Sequence, residues 1–149
     1  MADLRIRSFE PADVDDLHFA PGPQRRLAGL ADWRHSMRMA EQAGPAWAAT
    51  LDGHVIGLGG FGLMWPGRCN AWAAVGCEIP PWAWIGLHRG VLERMGQLPA
   101  IGIRRVEAET LHGYDAAARW VRMLGFEWEC LSRAFGPDGR DYDRWARIL

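Results

Sequence analysis

The sequence predicts an α+β sandwich in which a mixed, mostly antiparallel sheet of six to seven strands is flanked by about four helices, all within one domain spanning residues 1–149. Three observations carry that expectation. Asp52-Gly53 separates two apolar runs, and this dipeptide tolerates the positive φ angles of a two-residue hairpin turn. Gly136-Pro137-Asp138-Gly139 separates two further runs near the end of the chain, where a tight reversal makes a second hairpin. Between these hairpins the period of the apolar residues switches from two to three or four and back, so strands and helices alternate and the bracketed strands run parallel.

In order, Leu4 and Ile6 alternate with Arg5 and Arg7 as a first strand. Pro11, Asp13, Asp15 and Asp16 suit a helix start, with Val14 and Leu17 as its apolar face, and this helix ends near Pro21-Gly22-Pro23. From Gln24, Leu27, Leu30, Trp33, Met37 and Ala40 trace a second amphipathic helix that Gly44-Pro45 stops. Trp47 to Leu51 and His54 to Leu63 form the hairpin. A turn at Trp65-Pro66-Gly67-Arg68 leads to a strand through Ala71, Ala73, Val75, Cys77 and Ile79, which Pro80-Pro81 ends. Ile85, Val91, Leu92, Met95 and Leu98 mark a helix, and Val106, Ala108 and Thr110 a strand parallel to the one ending at Ile79. Ala117, Val121 and Leu124 mark a helix that Gly125 caps, and Phe126 to Leu131 and Tyr142 to Ile148 close the chain.

Composition narrows the function. The chain has 149 residues, 17 basic against 18 acidic, and a net charge of -1, which lacks the basic surplus of a nucleic-acid or acidic-membrane binder. All 17 basic residues are Arg, so no lysine can form a Schiff base or serve a phosphate loop. Cys69, Cys77 and Cys130 have no CxxC spacing, which speaks against a disulfide framework or zinc cage and for a reducing, cytoplasmic setting. His18, His35, His54, His88 and His112 show no ligand spacing, so no metal is expected. Ser8, Ser36 and Ser132 lack a Gly-x-Ser-x-Gly setting. No leader and no membrane-spanning run is visible.

The order of elements resembles the GNAT superfamily of N-acetyltransferases along essentially the whole chain, and Ala117, Leu124, Gly125 and Phe126 resemble its late helix-to-strand signature. Trp65-Pro66-Gly67-Arg68 with Ala71-Trp72-Ala73, Arg119-Trp120 with Leu124-Gly125-Phe126, and Gly136-Pro137-Asp138-Gly139 with Tyr142 resemble a divergent group encoded by bacteriophages and prophages. The resemblance implies acetyl-coenzyme A in the gap where the two central parallel strands splay apart, its pantetheine amides pairing with strand backbone as a pseudo-strand. It implies a direct acetyl transfer to the amine of a small molecule or protein. The alternative is a non-catalytic GNAT-fold phage protein that binds a host protein or sits in a virion, with a homodimer also conceivable. The compartment implied is the cytoplasm of a bacterial host.

On that resemblance the cofactor lies along Val75, Gly76 and Cys77, with the Gly76 N–H polarising the thioester carbonyl; the plainer reading is that Gly76 allows tight sheet packing. The superfamily's diphosphate loop, Gln/Arg-x-x-Gly-x-Gly/Ala, falls on Pro80 to Arg89, where only Gly86 is in register. Trp84 then stacks on the cofactor or blocks it, and His88 and Arg89 replace lost anion binding or are plain surface groups. The superfamily's acidic Tyr is Val121 here, so on the resemblance Tyr114 or Tyr142 protonates the thiolate, and each is also readable as an ordinary amphipathic surface tyrosine. Among carboxylates for the base, Glu109 ranks before Glu78, with Glu107 third, and each is equally readable as a solvated or Arg-paired edge group. His112 is a minor candidate. Trp47, Trp72, Trp120, Trp128 and Trp145 read as structural.

Overall fold

The computed structural model describes residues 1–18 and 33–149. Seven strands make one sheet in the order β1-β2-β3-β4-β5-β7-β6. They are β1 (Leu4–Ser8), β2 (Ala46–Leu51), β3 (His54–Trp65), β4 (Arg68–Val75), β5 (Arg105–Leu111), β6 (Glu127–Ser132) and β7 (Tyr142–Ile148). β4 and β5 run parallel and every other neighbouring pair is antiparallel. The described helices are α1 (Asp13–Asp16), α2 (Trp33–Gln42), α3 (Pro81–Gln97) and α4 (Asp115–Met123), with a 3-10 turn at Leu98–Ile101. The turn at Pro21-Gly22-Pro23 and the helix positions from Gln24 through Leu30 lie outside the described residues.

Both expected hairpins form. Asp52 and Gly53 take φ of 50° and 87°, the left-handed pair that matches the twist of the flanking strands. Gly125, at φ 89°, ends α4 with its N–H on the Arg122 carbonyl. Several boundaries differ: α1 ends at Asp16, β3 runs on to Trp65, and α3 starts at Pro81. β4 stops at Val75 and does not run to Ile79, because Gly76 and Cys77 turn their N–H groups to the carbonyls of Ile56 and His18, and Glu78 takes φ 59°, which no strand residue adopts.

Each face of the sheet buries its own core. Trp33, Val14, Leu17, Leu58 and Ala74 fill the α1/α2 side, where Trp72 stands edge-on to Phe9. Cys69, Met95, Val106, Val121, Phe126 and Trp145 fill the α3/α4 side. α3 reaches β1 through two glycines: a Cβ on Gly86 would stand 2.3 Å from Leu4 Cδ2, and one on Gly90 2.2 Å from Ile6 Cδ1. Their missing side chains set how close that helix lies to the sheet.

Candidate functional site

The parallel pair is short. β4 and β5 are in register only from Arg68, Cys69 and Asn70 to Arg105, Val106 and Glu107. Beyond Asn70 the strands separate, so the β5-facing backbone edge of residues 71–75 has no ladder partner. A cavity of about 230 Å3 opens in this gap. Its wall includes Ala71, Ala73 and Ala108 on the α3/α4 side and Trp72 and Glu109 on the opposite side, so it passes through the sheet.

Two charged groupings flank the gap on the α1/α2 side. At its closed end Glu107, buried, accepts from both Arg68 and Arg105, and Arg105 also holds Glu129. The Arg68 guanidinium, then Arg105, holds the Glu107 carboxyl down at about 2. Glu107 is therefore a fixed anion that closes the strand pair, with no capacity to take a proton near neutrality. At the open end Glu109 lines the cavity with its side chain 14% exposed. Arg144 Nε lies 3.6 Å from Glu109 Oε1, and the Asn70 amide, oriented to donate, reaches Glu109 Oε2 and the Glu107 carbonyl oxygen at 3.3 Å. Glu109 is loosely held, half-buried and in the wall of the gap.

On the α3/α4 side Trp120 lines the cavity, and its ring meets that of Trp84 edge-to-face at 5.5 Å. Three cavity-lining side chains carry buried N–H groups without an acceptor: Trp72 Nε1, Arg94 Nε and Trp120 Nε1. Orphaned donors around an otherwise apolar cavity are what a ligand bearing carbonyl or carboxylate oxygens satisfies.

The start of α3 departs from the expected anion cradle. Pro80 is the cap and Pro81 the first helical residue, and the Ala83 and Trp84 N–H groups both donate to the Pro80 carbonyl, at 2.9 and 3.2 Å. Pro81 has no N–H and the Ala83 N–H is taken by Pro80, which leaves Trp82 as the one first-turn amide without a backbone acceptor. Residues 81–89 are helix, so Gly86 and Arg89 sit on helix turns and not in a loop. Gly86 faces Leu4, Arg89 is exposed, and the buried His88 Nδ1 has no partner.

Of the residues singled out from sequence, the gap brings together Val75 and Glu109, and Trp84 stands outside its lining, against Trp120. The Gly76 N–H donates to the Ile56 carbonyl at 2.8 Å, which corrects the expectation that it would face a thioester, and a Cβ there would meet the His18 carbonyl at 2.9 Å. Cys77 likewise donates to His18. Glu78 is exposed beyond the end of β4 and does not line the cavity. Tyr114 caps α4 outside the cavity, and Tyr142 stands 5.6 Å from Phe135. His112 is held by Asp143 at 3.0 Å, and Trp128 donates to the same carboxylate. Sequence reasoning missed Asn70, Arg94 and Arg144, and read Trp72 and Trp120 as structural only. The three polar residues are visible as charged or amide groups on apolar-periodic elements, but which wall they face depends on register.

Among the described residues no cluster of three His, Cys, Asp or Glu side chains stands together, and no helix is long and apolar enough to cross a membrane. The chain matches no family model and no curated protein sequence. Solved structures do match. An Ard1 protein from Thermoplasma volcanium superposes with a TM-score of 0.73 at 16% identity, covering 98% of this chain and 97% of that one. A Bacillus subtilis acetyltransferase in complex with CoA gives 0.71 at 14%, covering 100% and 99%. A GNAT family acetyltransferase from Elizabethkingia anophelis with acetyl-CoA bound gives 0.68 at 12%, covering 98% of each. The fold is therefore the GNAT acetyltransferase fold, end to end.

Proposed function

We propose that the protein is a GNAT-type N-acetyltransferase, of the divergent phage or prophage branch whose motifs it resembles, that binds acetyl-coenzyme A in the β4–β5 gap. The observation that carries this reading is the early end of β4–β5 pairing at Asn70 and Glu107, which opens a cavity through the sheet and places Glu109 in its wall. The residues fit the amide-bearing arm of the cofactor: the free edge of residues 71–75 offers backbone donors and acceptors, and the buried Trp120 N–H lacks an acceptor. The start of α3 offers the diphosphate only the Trp82 amide, since Pro81 has no N–H and Pro80 takes that of Ala83, and exposed Arg89 is the nearby cation for that role. When bound, the cofactor supplies an acetyl thioester.

Glu109 then acts as the base. It takes one proton from the attacking ammonium so that the nitrogen lone pair is free to form the new N–C bond as the C–S bond breaks. Asn70 and Arg144 keep that carboxylate aimed into the gap. No tyrosine lines the cavity to protonate the departing sulfur, so water supplies that proton on this reading. The free thiols of Cys69, Cys77 and Cys130 support a reducing, cytoplasmic setting.

A second reading, a non-catalytic GNAT-fold binding module, draws support from the two prolines at the start of α3, which leave few free amides there, and from Val121 in place of a tyrosine. An amine screen with acetyl-coenzyme A and a thiol-detecting readout separates the two. Turnover that falls about 100-fold or more in Glu109→Gln at neutral pH, with cofactor affinity kept, supports the transferase. Absence of both cofactor binding and turnover in the folded protein favours the binding module.

A further inference from the structure

Arg94 lies near the end of α3 and turns toward the sheet. Its guanidinium carbon is 5.1 Å from the centre of the Trp47 ring, its Nη1 donates to the Gly90 carbonyl at 3.1 Å, and its Nε is buried without an acceptor. Most other inward arginines meet carboxylates: Arg7 meets Asp13, Arg68 and Arg105 meet Glu107, and Arg144 faces Glu109, while Arg147 donates to the Leu124 carbonyl at 2.7 Å. Arg94 forms no ion pair with any carboxylate among the described residues. A half-buried cation without a counter-charge is costly unless an anion joins it.

The space in front of Arg94 is the α3 side of the cavity. Its floor there is Ala49, Gly57 and Gly59, small residues on adjoining strands, and its walls are Ile6, Trp47 and Val91. Because Gly57 and Gly59 project nothing, the helix above leaves a void in place of packed core. The whole cavity, about 230 Å3, exceeds the engineered apolar cavity of about 150 Å3 that takes up benzene. The glycine floor gives this end its room for a compact apolar body, and the one charged group there selects an anion.

We propose that this end of the cavity is a binding site for a small carboxylic acid with an apolar, aryl-sized body, the carboxylate on Arg94 and the body over Gly57 and Gly59 beside Trp47. The site rests on the cavity and the unpaired guanidinium and does not require acetyl transfer. A ligand held there adds a negative group that completes the Nε hydrogen bond, and its ring replaces the missing side chains of the floor.

Calorimetric titration of the whole chain with phenylacetate, without acetyl-coenzyme A, tests this directly. The expected result is saturable one-to-one binding that weakens at least tenfold in Arg94→Met, is partly kept in Arg94→Lys, and weakens at least tenfold for 2-phenylethanol, which has the body without the charge. Gly57→Leu, where a Cβ meets only the Ala74 carbonyl at 3.7 Å, fills the floor and is expected to abolish binding while circular dichroism stays that of the parent. No saturable heat up to millimolar phenylacetate overturns the proposal, as does equal binding by Arg94→Met or by the alcohol. Titration with acetyl-coenzyme A in parallel reports on the transferase reading separately.

Discussion

Trp120 stands edge-on to Trp84 at 80° between α4 and α3, and its buried indole N–H has no acceptor. Trp120 lines the cavity in the gap whose backbone edge is free, so it brings both an apolar ring and an unsatisfied donor to that wall. Trp120→Phe keeps the ring contact and removes the donor. Its stability is expected to equal or slightly exceed that of the parent, while acetyl-coenzyme A binds roughly fivefold more weakly, the worth of about one net hydrogen bond. Thermal melting and calorimetry check the two halves; unchanged affinity removes Trp120 from the binding surface.

The Glu107 carboxyl sits near 2 in the folded chain, against about 4.5 when free. Its folded value is depressed, so the stability it contributes is complete above about pH 4.5 and is lost as pH falls toward 2. The contribution is at most on the order of 3 to 4 kcal/mol. Urea unfolding between pH 6 and 2 is expected to show that loss, and Glu107→Gln to be less stable at pH 7 with a flatter profile. A parallel profile in the variant contradicts the assignment.

Gly86 is a close-approach glycine on Leu4. Gly86→Leu is expected to destabilise the fold by about 1 to 3 kcal/mol through crowding at β1. Acetyl-coenzyme A affinity, measured well below the melting temperature, stays that of the parent. A selective loss of affinity with no loss of stability returns Gly86 to the cofactor site.

Burial pushes the Cys69 thiol up to about 11, while Cys130 is exposed. Brief alkylation at pH 8 followed by mass spectrometry is expected to label Cys130 and spare Cys69, with Cys69 labelled only after denaturation. Rapid labelling of Cys69 in the native chain contradicts its placement in the α3/α4 core.

Elements set by local chemistry were legible in the sequence. Asp52-Gly53 and Gly125 do in the fold what their backbone freedom dictates, and the period-two run through Val106 to Thr110 is β5. The start of α3 was not. Pro80-Pro81 reads as a breaker, yet Pro81 occupies a first helical position, where its missing N–H has no helical partner to lose, and Trp82 to Arg89 continue the helix. The site was legible only where one strand suffices, as for Glu109. Asn70 and Arg144 approach Glu109 because of β4–β5 and β5–β7 register, and Arg68 reaches Glu107 across 39 residues. Register between distant strands is a tertiary property that no single segment encodes.

The measurement that bears most directly on the central claim is a calorimetric titration of the purified chain with acetyl-coenzyme A, followed in parallel by tryptophan fluorescence. The β4–β5 gap as cofactor site predicts saturation in the micromolar range, with a fluorescence change that Trp120→Phe diminishes. No binding at millimolar acetyl-coenzyme A by a fully folded protein contradicts it.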